Sequence, residues 1–129
     1  MRTLRIAVLD DNLTIGEMVR QGLELTGHTV MVYSSPAKFL ADIIQPTTAS
    51  TPFDLIIIEL EFPLPGEPSG VEVIHQVRNA FPDLPVILIS TGSSCEIEAA
   101  RRALSAVRVL RKPFSMANLL AMIQELKNG

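Results

Sequence analysis

Five short apolar runs alternate with amphipathic stretches along the chain. The runs are Leu4–Leu9, Thr29–Tyr33, Leu55–Ile58, Val86–Ile89 and Val107–Leu110. Each is rich in β-branched residues and too short for a helix, so each predicts a strand. Between them, apolar residues recur at helical spacing. Ile15, Met18, Val19, Gly22 and Leu23 mark one face of a first helix, and Phe39, Leu40, Ile43 and Ile44 a second. Val71, Ile74, Val77 and Phe81 mark a third, Ile97, Ala100 and Leu104 a fourth, and Leu119, Ile123 and Leu126 a fifth. Strand–helix alternation of this kind predicts a parallel sheet with helices on both faces.

Strand order follows from which runs tolerate polar residues. Leu55–Ile58 and Val86–Ile89 are apolar throughout and Ile6–Leu9 nearly so, as suits central strands buried on both faces. Thr29–Tyr33 and Val107–Arg111 carry polar residues and suit the edges. The expectation is an α/β, doubly wound, flavodoxin-like (βα)5 sheet in the order 2-1-3-4-5. Thr14 or Asn12 is placed to cap the first helix, Gly27 to end it, Ser34 or Ser35 to precede Pro36, and Ser115 to precede the last helix. Gln45–Pro52 reads as a loop.

The 129 residues suit one domain spanning 1–129. With 47% hydrophobic and 19% charged residues the chain reads as globular. A formal charge of −3 argues against nucleic acid or an anionic membrane as the domain's partner. No apolar run approaches the ~20 residues of a membrane span. Cys95 is the single cysteine, so no internal disulfide forms, and a reduced, cytoplasmic setting is expected. His28 and His75 stand singly, without a ligand partner at metal spacing.

In a doubly wound sheet the site lies beyond the carboxyl ends of the strands, where strand order reverses. Those ends hold Asp10-Asp11 after the first run, Glu59 with Glu61 after the third, Ser90-Thr91 after the fourth and Lys112-Pro113-Phe114 after the fifth. Clustered acids repel one another, which is tolerated mainly where a cation or a function compensates. Oxygen donors of this kind suit Mg²⁺.

The segments Val8-Leu9-Asp10-Asp11-Asn12, Asp54 through Pro63, Pro85 through Ser90 and Lys112-Pro113-Phe114 resemble, in order and spacing, the signature blocks of response-regulator receiver domains. Gly27-His28-Thr29-Val30 fits the same family, and the resemblance covers essentially the whole chain. It implies a receiver of two-component phosphorelay signalling. By position, Asp10 and Asp11 match the acid pair that helps to hold Mg²⁺, and Glu59 falls on the Asp that the family phosphorylates. Glu61 falls where a backbone carbonyl meets the metal. Ser90 matches the phosphate-contacting hydroxyl and Lys112 the phosphate-pairing lysine. A cis peptide bond before Pro113 is implied too.

Three departures shape the functional expectation. Glu59 is one carbon longer than Asp, about 1.5 Å, and a reacting group misplaced by ~1 Å can lose on the order of a hundredfold in rate. Phosphotransfer to residue 59 is therefore expected to be absent or feeble. A longer arm could instead reach toward Lys112 and Ser90 and hold an activated-like arrangement, or form an inert pair with Lys112. Val109 replaces the family's usual aromatic switch residue and has no ring to swing. The proline-bearing loop Pro63–Gly70 is longer than the common pattern.

The expectation is a degenerate, pseudo-receiver signalling module rather than an enzyme. It would work through protein contacts with a histidine kinase or another signalling protein, or as a homodimer through the face of the fourth helix and fifth strand. Arg101, Arg102, Arg108 and Arg111 cluster there. A phosphorylation-competent receiver is the alternative. A flavodoxin-like ligand binder or enzyme is the more distant one, since no phosphate-cradling glycine loop follows the first run and Asp10-Asp11 stand in its place.

Overall fold

The computed structural model describes residues 3–44, 52–60, 66, 68–92, 97–98, 101–102 and 107–128. Five parallel strands, β1 (Arg5–Leu9), β2 (Thr29–Tyr33), β3 (Leu55–Glu59), β4 (Val86–Ser90) and β5 (Val107–Arg111), form one sheet in the order β2-β1-β3-β4-β5. This is the order expected from the apolar runs. Three helices, α1 (Leu13–Glu24), α2 (Pro36–Ile43) and α3 (Gly70–Ala80), and a C-terminal helix (Met116–Asn128) surround it. Residues 97–98 and 101–102 are helical, in line with the fourth predicted helix, but its Ala100 and Leu104 lie outside the described residues. Among the described residues no helix is long and apolar enough to cross a membrane.

Every residue of β3 and β4 is buried, whereas the edge strands β2 and β5 alternate with exposed positions. Side chains leave each strand on alternate faces, so the core has two layers. Ala7, Leu9, Ile56, Ile58 and Leu88 pack with Phe39 and Ile43 of α2 and Val73, Ile74 and Val77 of α3. Ile6, Val8, Ile57, Ile87 and Ile89 pack with Val19 and Leu23 of α1 and with Leu119 and Ile123 of the C-terminal helix.

The helix starts are capped locally. Asn12, rather than Thr14, caps α1, its side chain accepting from the amides of Thr14 and Ile15 at 3.0 and 3.2 Å. Ser35 caps α2 ahead of Pro36, and Ser69 caps α3. Ser115 Oγ accepts from the Asn118 amide at 3.1 Å. Gly27 (φ 94°) takes the left-handed conformation that turns the chain into β2.

Two details of the helical faces differ from the sequence reading. Met18 is 46% exposed; its place on the predicted face is taken by Gly16, whose missing side chain lets α1 approach Val32 of β2. On α3, Val73 is fully buried beside Ile74 and Val77, while Val71 is only partly covered. The strands also run one residue further than the apolar runs, so that Glu59, Ser90 and Arg111 are the last residues of β3, β4 and β5. Apolarity stops at the rim, but backbone pairing does not.

Ile57 sits in the middle of the sheet at 1% exposure. Ile57→Ala is expected to cost about 2–5 kcal/mol, read as a lower urea midpoint with an unchanged denaturant slope.

Candidate acid–lysine site at the rim of the sheet

Register decides which polar residues meet. Leu9 pairs with Ile58, Glu59 with Ile89, and Ser90 with Arg111. Asp10 therefore emerges level with Glu59, and Lys112 one step beyond Ser90. Alternation sends Asp10 and Glu59 toward the α1 side, the side of Val8 and Ile57. Val109 packs on the opposite side, against the α2–α3 core.

Three of the predicted residues make direct contact. Lys112 Nζ lies 2.7 Å from Glu59 Oε1 and 3.7 Å from Asp10 Oδ2. Their side chains are 13%, 10% and 3% exposed respectively. Asp10 is fixed by its surroundings. Its amide donates to the Tyr33 carbonyl at 3.0 Å, extending the β1–β2 ladder, and its Oδ1 accepts from the Asn12 amide at 2.8 Å. Asp11 completes the cluster: one carboxylate oxygen each from Asp10, Asp11 and Glu59 lie within 4.8 Å of one another. Glu61, and residues 63–65 and 67 of the Pro63–Gly70 loop, lie outside the described residues.

Ser90 is fully buried, and its Oγ accepts from the Gly92 amide at 2.9 Å. The Lys112 amide donates to the Ser90 carbonyl at 2.9 Å, which carries the β4–β5 ladder to the rim. The Lys112–Pro113 peptide is cis, as the resemblance implies.

Among the described residues the electrostatics are unbalanced, with the three carboxyl groups of Asp10, Asp11 and Glu59 beside the ammonium of Lys112. Burial, followed by the neighbouring carboxyls of Asp10 and Asp11, pushes the Glu59 carboxyl up to about 8, against the opposing pull of Lys112. Glu59 Oε2 is buried without a hydrogen-bond partner, a costly position for an anion. An orphaned carboxylate oxygen beside two further acids is also a donor set that fits a small hard cation. Asp10, Asp11 and Glu59 are the residues that would hold it.

Two features here were missed in the sequence. Gly70 opens α3 against the end of β3, where a Cβ would come within 2.7 Å of the Glu59 carbonyl oxygen and 2.8 Å of that of Leu60. The glycine thus allows α3 to brace the residue that bears the central carboxylate. The sole sequence signal was a glycine just after the capping Ser69. The second is a cleft of about 320 Å³ beside Lys112, lined by Ile15, Met18, Thr91, Pro113 and Phe114. It is the reason Met18 is exposed, and no local pattern distinguishes its walls from core positions.

The family model for the response regulator receiver domain matches residues 6–124. Response regulator MprA of Mycobacterium ulcerans is 29% identical over 124 residues, 96% of this chain and 50% of that protein. The chain thus spans about half the length of the MprA relatives it matches. The chemotaxis response regulator CheY4 of Vibrio cholerae superposes with a TM-score of 0.79 at 25% identity, covering 96% of this chain and 98% of that one. A response regulator receiver protein from Sinorhizobium medicae gives a TM-score of 0.83 at 23% identity, covering 99% and 97%.

The raised Glu59 carboxyl makes a signed prediction for protein kept free of divalent ions with EDTA. Between the ordinary value of 4.5 and about 8 the folded state retains a proton that the unfolded chain has released. Stability therefore falls as pH rises through that window. The Glu59 component should lower the urea midpoint progressively from about pH 5 to about pH 8, read as the difference between wild type and Glu59→Gln at each pH. A midpoint change of the same size in the Gln variant would assign the slope to another group.

Proposed function

We propose that this chain, which belongs to the response regulator receiver domain family by its match over residues 6–124, is a receiver whose output does not depend on phosphate at residue 59. The observation behind this reading is the 2.7 Å contact between Lys112 Nζ and Glu59 Oε1. Lys112 is the position at which the family pairs an ammonium with the phosphoryl group. Here a carboxyl group on a longer arm already occupies that ammonium. The domain would then signal through protein contacts, with a histidine kinase or another signalling protein, and not by turnover of a substrate.

Val109 supports the same reading. It lies partly buried against the α2–α3 core and has no ring to relay a movement of Ser90. The exposed residues Arg101, Arg102, Arg108 and Arg111 make the face of β5 and the helical residues 101–102 the proposed contact surface for a partner or a second copy. A cytoplasmic setting accompanies the proposal.

The acid cluster favours a second reading, a receiver that still accepts phosphate. Asp10, Asp11 and Glu59 fit Mg²⁺, and Ser90 and Lys112 stand at the family's phosphate-contact positions. When bound, the ion would supply positive charge to offset phosphoryl oxygens. Asp10 and Asp11 would hold it, and Lys112 would steady the remaining negative charge. In this reading the extra methylene of Glu59 lowers the rate without abolishing transfer.

Incubation with Mg²⁺ and acetyl phosphate, followed by intact-mass measurement, separates the two. The wild type should stay unmodified while Glu59→Asp gains one phosphoryl mass. An acyl phosphate mapped to Glu59 in a substantial fraction of molecules would establish the second reading and overturn the first.

A further inference from the structure

His28 lies in the turn between α1 and β2, at the end of the sheet opposite the acid cluster. It is 8% exposed. Its Nδ1 accepts a hydrogen bond from the Leu4 amide at 3.0 Å, so the neutral ring carries its proton on Nε2. The His28 amide donates to the Leu23 carbonyl at 3.2 Å, which ties the turn to the end of α1. The Thr29 amide donates to the Leu4 carbonyl at 3.0 Å. Both backbone polar groups of Leu4 are thus held by His28-Thr29.

Among the described residues, the charge of Lys127, in the last turn of the C-terminal helix, disfavours a proton on the ring. A cavity of about 50 Å³ adjoins these elements, lined by Leu4, Asp54, Leu55, Pro85, Leu126 and Lys127. Leu4 and Lys127 therefore both border open space.

We propose that His28 is a proton-operated latch that fastens the start of β1 to the turn before β2. A proton on Nδ1 turns the acceptor into a donor, so the Leu4 amide and the ring would present hydrogens to each other. The same proton adds a positive charge that the ammonium of Lys127 disfavours. Both effects push the same way, and the cavity gives Leu4 and Lys127 room to shift without unpacking the core.

Burial, and then the charge of Lys127, hold the ring below the ordinary histidine value of 6.5. For a base with a depressed folded value, the unfolded chain binds the proton first. The latch contributes its stability in full above 6.5 and loses it as pH falls through the lower folded value. It is closed at neutral pH and opens on acidification. None of this depends on the reading of the acid cluster, and the two can fail separately.

The test is a titration of the full chain by nitrogen-edited NMR, from neutral pH down to about pH 5 or below. The His28 ring nitrogens and the Leu4 amide are followed together, with exchange normalised to unstructured peptide rates at each pH. Protection at Leu4 should fall about tenfold or more as the ring gains its proton, while Ile57 and Leu88 keep theirs. His28→Asn, which offers an acceptor oxygen that does not titrate, should keep Leu4 protected throughout. Lys127→Gln should shift the opening to higher pH. A ring that titrates with no response at Leu4 overturns the latch, as does one that stays neutral until the whole domain unfolds. An acid opening of equal size in His28→Asn would do the same.

Discussion

The ammonium of Lys112, set between Glu59 and Asp10, is the contact on which the arrangement of the rim depends. Burying one carboxylate against an ammonium is close to neutral in free energy, because desolvation offsets attraction. Burying further carboxyls beside the same ammonium is unfavourable unless a proton or a cation joins them. The sheet tolerates this because its stability comes from elsewhere. β3 and β4 are buried along their whole length, and among the described residues α2 and α3 cover one face while α1 and the C-terminal helix cover the other. A robust core lets the rim hold charges that would not assemble on their own.

Much of that core was legible in the amino-acid pattern. Unbroken apolar runs identify central strands, and polar interruptions identify edges; the order β2-β1-β3-β4-β5 follows. The convergence of Asp10, Asp11, Glu59 and Lys112 was legible for the same reason, since a parallel sheet brings all its carboxyl ends to one side. What the sequence did not contain was distance. Whether a carboxylate one carbon too long bends away from Lys112 or meets it is decided by rotamers and by neighbours far along the chain.

Other misreadings have the same origin. Met18 fits a helical stripe by spacing, yet it faces the cleft beside Lys112 and Phe114. Spacing specifies an angle around α1 but not what stands opposite. Gly16 and Gly70 carry no hydrophobic signal, though each marks a close approach of helix and strand. His28 looked solitary because its side-chain partner is a backbone amide 24 positions away in sequence.

The brace at Gly70 has a consequence for how residue 59 can vary. With α3 seated directly on the carbonyls of Glu59 and Leu60, the strand end has no slack to retreat when the side chain lengthens. Differences between a short and a long acid at this position must be absorbed by side-chain torsions alone. Chain length at one position then works as a ruler: one methylene fewer withdraws the carboxylate from the ammonium, and one more presses it home.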